Sequence, residues 1–239
     1  MQLTARIVNG MKIGCSRPRE EPASAFQMVT AKELSATILA AGRSSRLGRE
    51  KVLLELGGVP LVRLIADQIV RAGFAECIII TNPKNHAAVE RVTRKVSAKA
   101  ICNDRYEDGM AGSIKVGVEA ISPHSRAMVL LQGDQPLVES SMLMELIEKW
   151  EATMLPYVAS SYDELVTTPV LFSRELFGDL SALQGDAGAK HVLQKHHGAI
   201  VKFPAWRAAD VDTDLDYAAI QKTWRELHPE AAGHLWAIK

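Results

Sequence analysis

Residues 39–51 combine small residues with basic side chains, in the order Leu-Ala-Ala-Gly-Arg-Ser-Ser-Arg-Leu-Gly-Arg-Glu-Lys. The segment follows an apolar run, and a loop that leaves the first strand of a doubly wound sheet is the expected ligand position. Its backbone amides could hold phosphates, with added positive charge from Arg46 and Lys51. A Walker A loop is excluded because Leu47 stands where it needs glycine, and a dinucleotide fingerprint would need glycine at Ser44. A tight turn with solvent-facing basic residues is the alternative interpretation.

Two acidic segments could supply ligands for a divalent cation. Asp134 lies in Gly-Asp-Gln-Pro, directly after the apolar run 127–132. Mg²⁺ usually takes one or two carboxylates together with substrate phosphates, so an aspartate facing a phosphate loop is a suitable ligand. Residues 210–216 place aspartates at every second position before a predicted helix. Each segment taken alone is equally compatible with a turn that caps the next helix.

Two further loops precede predicted helices and expose backbone groups. Residues 103–113 contain Gly109 and end at Ser113, and these groups could bind the hydrogen-bonding edge of a base. Residues 183–190 open another predicted helix, where free amides and Lys190 could meet an anionic acceptor. Both loops also fit plain helix entrances. No Ser-His-Asp or Cys-His arrangement indicates nucleophilic catalysis.

The composition excludes several classes of protein. The chain has 239 residues, of which 47% are hydrophobic, so disorder, collagen and disulfide scaffolds are excluded. Lys plus Arg and Asp plus Glu both number 28, so no net field would attract nucleic acid or an anionic membrane. No apolar run reaches the roughly 18 residues of a membrane span. Cys15, Cys77 and Cys102 lack CxxC spacing, which favours reduced thiols in a cytoplasmic protein.

The elements that must position these residues follow from the hydropathy pattern. Short apolar runs alternate with amphipathic segments, which predicts an α/β fold with a doubly wound, mostly parallel sheet. We predict strands over residues 36–41, 77–81, 99–102, 127–132, 157–160, 168–172 and 200–203. We predict helices over residues 60–72, 87–96, 113–121, 140–151, 173–180, 187–196 and 215–227.

The chain divides into three predicted parts. Residues 1–35 show neither helical nor strand periodicity, and we interpret them as an N-terminal extension. Met11 and Met28 are alternative start positions that the sequence leaves open. Residues 36–228 form the predicted domain, and residues 229–239 form a C-terminal tail.

The motifs together resemble the MobA-like NTP transferase family, and within it the molybdenum-cofactor cytidylyltransferase (MocA-like) branch. Leu-Ala-Ala-Gly followed by Arg46, Gly48 and Lys51 matches the nucleotide-binding signature of that family. Gly-Asp-Gln-Pro resembles its metal-binding motif, and the acidic segment near Asp212 resembles its terminal motif. The resemblance extends from about residue 36 to residue 220 and implies a Rossmann-like, GT-A-like nucleotidyltransferase fold.

The resemblance implies roles for the matching residues. The catalytic residues would be Arg46, Lys51 and Asp134, and the metal ligands Asp134 and Asp212. The nucleotide contacts would be Leu39, Ala40, Ala41, Gly42, Arg46, Gly48, Lys51, Asn103, Gly109, Ser113 and Gly133. The acceptor contacts would be Gly185, Asp186 and Lys190. Two departures stand out: Asp214 replaces a usual proline, and Thr167-Thr168-Pro169 stands where glycine commonly precedes the proline.

The resemblance also implies a reaction. It is Mg²⁺-dependent transfer of CMP from CTP to the phosphate of a molybdopterin-type acceptor, with release of pyrophosphate. Leu-Ala-Ala-Gly in place of Leu-Ala-Gly-Gly favours cytosine over guanine, and a transient contact with a molybdoenzyme is a further implication. Three alternatives remain open: a sugar- or polyol-phosphate nucleotidyltransferase, a guanylyltransferase, and a non-catalytic nucleotide-binding cofactor chaperone.

Overall fold

A seven-stranded sheet forms the centre of the computed structural model, which describes residues 31–43 and 47–229. The strands are β1 (Leu34–Leu39), β4 (Glu76–Thr81), β5 (Lys99–Cys102), β6 (Ala127–Gln132), β7 (Tyr157–Tyr162), β8 (Leu165–Ser173) and β9 (Ala199–Phe203). Two short strands, β2 (Glu55–Leu56) and β3 (Val59–Pro60), form a separate hairpin. The helices are α1 (Leu61–Arg71), α2 (His86–Thr93), α3 (Met110–Ala120), α4 (Ser140–Thr153), α5 (Phe177–Ser181), α6 (Lys190–Leu193) and α7 (Asp214–Leu227).

The strand order is β5-β4-β1-β6-β8-β7-β9. All neighbouring pairs are parallel except those that involve β8, which runs antiparallel to both β6 and β7. The prediction of a doubly wound, mostly parallel α/β sheet is therefore confirmed. Leu39 pairs with Gln132 on one side and with Ile80 on the other, so the carboxyl ends of three strands meet at one edge.

The core lies on both faces of the sheet because parallel strands are covered by helices on each side. In β4, Cys77 and Ile79 pack into one hydrophobic cluster, and Ile78 and Ile80 pack into the other. This alternation is the period-two pattern of a strand that is buried on both faces. A smaller third cluster packs the hairpin against α7.

Several element boundaries differ from the prediction for local reasons. The predicted helix over 60–72 begins at Leu61, because Pro60 ends the unpredicted hairpin, whose turn uses Gly57 and Gly58 at φ +58° and +79°. The predicted helix over 187–196 is helical only at Lys190–Leu193. The strands predicted over 99–102 and 127–132 have the predicted bounds, and the other predicted strands and helices are present with shifted ends.

The two predicted domain boundaries, at residues 35/36 and 228/229, both fall within the described residues. β1 begins at Leu34, two residues inside the predicted extension over 1–35. Most of that extension, and all but the first residue of the tail predicted over 229–239, lie outside the described residues. No helix in the described ranges has the length and apolar character needed to cross a bilayer.

Candidate active site

A cavity of about 430 Å³ opens at the carboxyl edge of β1 and β6. The register between these strands makes the loops that follow them leave the sheet side by side. The cavity is lined by Leu39, Ala40, Ala41, Gly42, Arg43, Lys51, Val52, Tyr106, Glu107, Gly109, Met110, Ser113, Gln132, Asp134 and Asp186. It therefore brings together segments from four distant parts of the chain, as expected for a site at a topological switch point.

The predicted site residues fall into three groups. Those that line the cavity are Leu39, Ala40, Ala41, Gly42, Lys51, Gly109, Ser113, Asp134 and Asp186. Those outside its walls are Gly48, Asn103, Gly133, Asp212, Gly185 and Lys190. Arg46 lies outside the described residues. Of the second group, Asn103, Gly133, Gly185 and Asp212 contact lining residues directly, as described below.

The β1 loop, residues 40–43, forms one wall of the cavity. It is anchored to the sheet where the Ala40 amide donates to the Ile80 carbonyl over 2.7 Å. A Cβ placed on Gly42 would meet no atom of the described residues within 4 Å, so none of them fills the space beside this glycine at the cavity. Gly133 has the opposite surroundings, because a Cβ there would lie 3.1 Å from Val52 Cγ1 and 3.2 Å from the Leu39 carbonyl oxygen. Gly133 thus permits the β1 and β6 loops to pack closely behind the cavity wall.

Lys51 bridges two aspartates that are distant in sequence. Its ammonium group forms an ion pair with Asp134 and lies 3.0 Å from Asp212 Oδ1. The side chains of Lys51 and Asp134 are 15% and 8% exposed, and that of Asp212 is 40% exposed. Burial opposes the charge on Lys51, but the two carboxylates outweigh it and raise the pKa of Lys51 above its usual value. The group therefore stays cationic between the two aspartates.

Asp134 carries the feature that best fits a metal ion. Its Oδ1 atom is buried and accepts no hydrogen bond from the described part of the chain. A buried carboxylate oxygen without a donor is unfavourable, and a cation would satisfy it. Among the described residues no group of three His, Cys, Asp or Glu side chains forms a complete metal site. Asp134 and Asp212 can hold an ion only with other ligands, which suits Mg²⁺ or Mn²⁺ bound with substrate phosphates and water.

The acidic segment after β9 is tied to this site. The Val211 amide donates to the Asp134 carbonyl over 3.1 Å, which holds the segment against the β6 loop. Partial burial and the charges of Asp134 and Asp212 raise the pKa of Asp210, and Lys51 partly offsets them. Asp210 is thus a third carboxylate near the Lys51 ammonium, and the prediction gave it no role.

The two later aspartates of this segment serve the start of α7. Thr213 Oγ1 accepts from the Asp216 amide at 3.2 Å, and Asp216 Oδ2 accepts from the Thr213 amide at 2.8 Å. This reciprocal pair is a capping box, as expected from the aspartates that precede a helix. Asp214, where the family usually has proline, is the first residue of α7 and lies 2.6 Å from Arg49 Nη2.

The loop between β5 and α3 forms the opposite wall. Asn103 is buried and donates to Ser113 Oγ over 3.0 Å, so it supports Ser113 from behind. Gly109 has φ +104°, and a Cβ there would lie 2.3 Å from the Gly185 carbonyl oxygen. The same carbonyl accepts from the Ala111 amide over 3.0 Å. The predicted base-side and acceptor-side loops are therefore in direct backbone contact.

We expect Gly109→Ala to lower the free energy of unfolding by about 2 kcal/mol, because the new Cβ cannot fit against the Gly185 backbone and the φ is unfavourable for alanine. Urea denaturation measures the change. Gly178→Ala in α5 is the matched control, since a Cβ there meets none of the described atoms within 4 Å and should leave stability unchanged or slightly raised. Equal stability of the two variants would refute the close contact.

Of the three predicted acceptor contacts, one lies in the cavity wall. Asp186 lines the cavity, whereas Lys190 is exposed at the start of α6 and is not part of the cavity wall. The departure at Thr167-Thr168 has a local role, because Thr168 Oγ1 donates to Gln135 Oε1 over 2.7 Å. Both of these side chains are buried, and Gln135 follows Asp134 directly.

Six lining residues were not predicted: Arg43, Val52, Tyr106, Glu107, Met110 and Gln132. Arg43 and Glu107 form an exposed ion pair of 3.3 Å that joins the β1 loop to the opposite wall. Most of these residues lie inside or next to the motif segments, so adjacency to the motif glycines was the available signal. They were missed because the resemblance implies roles for their neighbours and none for these six residues.

Comparison with known proteins identifies the family. A family model, the MobA-like NTP transferase domain, matches residues 36–200. The purine catabolism protein PucB of Bacillus subtilis (strain 168) is 26% identical over 202 residues, which cover 79% of this chain and 96% of that protein. A probable molybdenum cofactor guanylyltransferase of Trichormus variabilis is 26% identical over 210 residues, covering 82% of this chain and 94% of that protein.

Solved structures share the fold of this chain. The Rv0371c protein of Mycobacterium tuberculosis is 29% identical with a TM-score of 0.73, and the match covers 81% of this chain and 100% of that chain. A structure of that protein in complex with manganese matches with a TM-score of 0.69 and 26% identity, over 80% of this chain and 98% of that one. With the fold, the cavity and the family match in agreement, the chain belongs to the MobA-like NTP transferase family, which comprises nucleotidyltransferases.

Proposed function

We propose that this protein is an Mg²⁺-dependent enzyme of the MocA-like branch that transfers CMP from CTP to the phosphate of a molybdopterin-type acceptor. The observation that carries the proposal is the single cavity shared by the β1 loop, Lys51 and Asp134, with Asp212 bonded to the same Lys51 ammonium. Backbone amides and the Lys51 ammonium suit a polyphosphate, and the two carboxylates suit a divalent cation. The catalytic domain would comprise residues 36–228.

Each wall would hold one part of the nucleotide. The β1 loop and Lys51 would bind the triphosphate, joined by Arg46 and Gly48 as the resemblance implies. Ser113, supported by Asn103, and the backbone around Gly109 would bind the base. Asp134 and Asp212 would hold the cation, which when bound would neutralise phosphate charge and orient the α-phosphate.

The reaction needs orientation rather than a covalent enzyme intermediate. An oxygen of the acceptor phosphate would attack the α-phosphorus in line, and the bond from that phosphorus to the oxygen bridging to the β-phosphate would break. Pyrophosphate leaves with the bonding electrons, and Lys51 would stabilise the charge that grows on it. Gly185, Asp186 and Lys190 would bind the acceptor, with Asp186 nearest because it lines the cavity.

Guanylyl transfer is the second candidate. It is favoured by the relative from Trichormus variabilis, whose name is probable molybdenum cofactor guanylyltransferase and which aligns over most of both chains. Manganese as the working ion is favoured by the manganese complex of the Mycobacterium tuberculosis protein. After transfer, a transient contact with a molybdoenzyme would deliver the product.

A substrate panel tests the proposal. We expect pyrophosphate release and a cytidylyl adduct, identified by its mass, when the protein is incubated with Mg²⁺, CTP and molybdopterin cofactor. GTP, ATP and UTP with the same acceptor, and CTP with sugar and polyol phosphates, serve as comparisons. A guanylyl adduct would select the second candidate. Binding of CTP without turnover on any acceptor would select a non-catalytic chaperone.

A further inference from the structure

The turn after β4 contains two buried asparagines that no motif includes. Asn82 is 1% exposed and Asn85 is fully buried. Buried carboxamides are unfavourable unless their donors and acceptors are satisfied, so their hydrogen-bond partners show what they hold in place. These partners are in the β1 loop and beside Lys51.

The side chain of Asn85 bonds both ends of segment 40–50, which directly precedes Lys51. Its Nδ2 donates to the Ala40 carbonyl over 2.8 Å and to Glu50 Oε2 over 3.0 Å. Asn82 Nδ2 donates to the Ala41 carbonyl over 3.3 Å. Two successive carbonyls of the β1 loop are therefore held toward the β4 turn.

The asparagine side chains are themselves fixed. Asn82 Oδ1 accepts from the Lys84 and Asn85 amides at 2.9 and 3.0 Å, and Asn85 Oδ1 accepts from the Asn82 amide at 3.1 Å. These bonds define which end of each carboxamide is the donor. The turn therefore presents its NH₂ groups to the β1 loop in one orientation.

The direction of these carbonyls sets the direction of the next amides. Both peptides are trans, and in a trans peptide the C=O and the following N–H point to opposite sides. With the Ala40 and Ala41 carbonyls held toward the β4 turn, the N–H groups of Ala41 and Gly42 point the other way. Both residues line the cavity, and within the described ranges neither amide donates to a protein acceptor.

We propose that Asn82 and Asn85 are positioning residues that orient the Ala41 and Gly42 amides toward a bound polyphosphate. Through Glu50, Asn85 also holds the chain next to Lys51. The turn after β4 therefore positions both the backbone amides and the Lys51 ammonium for phosphate binding. The inference rests on the proposed function in that the ligand is the triphosphate of a nucleotide.

The test measures binding of CTP and of inorganic tripolyphosphate by titration calorimetry, together with KM and kcat for CTP. We expect N85A to bind both ligands about tenfold more weakly and to raise KM more than it lowers kcat. The variant E50A should lose affinity to a smaller extent, and E50Q, which keeps an acceptor oxygen, should recover most of it. Ser125→Ala is the matched control, since it removes a buried hydrogen bond to Ala127 at the amino end of β6.

The outcomes separate this inference from the proposed function. Unchanged tripolyphosphate affinity in folded N85A, or an equal loss in Ser125→Ala, would overturn the positioning role even if CTP is turned over. If the wild-type protein turns over no nucleotide but N85A still loses tripolyphosphate affinity, the positioning role is supported and the proposed enzymatic function is rejected. If N85A does not fold, equal affinities of E50A and E50Q would overturn the inference.

Discussion

Asp134→Asn is expected to reduce nucleotidyl transfer about a thousandfold or more while the protein remains folded. Asparagine has nearly the same shape, and the backbone bond from Val211 to the Asp134 carbonyl does not depend on the side chain. The change removes the carboxylate whose Oδ1 is buried without a partner among the described residues, so cation binding should weaken with activity. Pyrophosphate release measures turnover, and electron paramagnetic resonance of Mn²⁺ measures cation binding.

Asp67→Asn is the control for this change. Asp67 forms an ion pair with Arg63 on α1 at 2.9 Å, away from the cavity, and its loss should leave turnover unchanged. Asp212→Asn should produce an intermediate loss, because Asp212 is more exposed than Asp134 and lies outside the cavity wall, 3.0 Å from the Lys51 ammonium. Wild-type turnover by Asp134→Asn would reject the proposed metal site.

Lys51→Met is expected to lower kcat/KM for the nucleotide about a hundredfold or more, because it removes the charged contact to the triphosphate. The substitution also removes the ammonium group that lies between the Asp134 and Asp212 carboxylates. Because Asp134 is buried, we expect the free energy of unfolding to fall by about 2 kcal/mol. Mn²⁺ binding should persist or strengthen, because the ammonium no longer competes for the two carboxylates. Steady-state kinetics, urea denaturation and paramagnetic resonance measure the three effects.

The pattern of these effects distinguishes the two residues. Asp134→Asn should lose cation binding, whereas Lys51→Met should keep it and lose nucleotide affinity. Lys115→Met is the control, since Lys115 is an exposed residue of α3 that lies outside the cavity wall, with its Nζ 4.0 Å from Glu119 Oε1. If Lys51→Met lost cation binding and nucleotide affinity together, Lys51 would act by holding the aspartates rather than by contacting phosphate.

Local hydropathy patterns predicted much of the fold because the polarity of the residues in each strand follows from how that strand is buried. The run Ala127–Gln132 matched β6 without error, since a strand buried on both faces is apolar throughout. The hairpin of β2 and β3 was missed because two-residue strands carry too little periodicity to detect. The helix predicted over 187–196 was too long, because a favourable composition does not show where tertiary contacts end a helix.

The sequence predicted that Asp134 faces the loop after the first strand, but it did not predict the contacts that join the other segments of the candidate site. Asp134 was identified because it follows an apolar run, and Lys51 because it is a basic residue of the loop that follows another such run; parallel strands bring the ends of both runs to one edge. Asn85 was missed because a buried asparagine in a turn matches no motif, and its role depends on which carbonyls it reaches. Lys190 was assigned with the acceptor residues, and its distance from the cavity wall could not be inferred from its neighbours in sequence.

The sequence by itself determined that strands covered on both faces alternate with helices, and that small, basic and acidic residues follow those strands. Only the tertiary structure decided that Lys51 bonds Asp212, 161 residues away, that Gly109 contacts Gly185, and that Asn85 reaches Ala40. The physical reason is that hydropathy depends on each residue's own burial, whereas contacts between distant segments depend on strand register and loop packing, which no local pattern specifies.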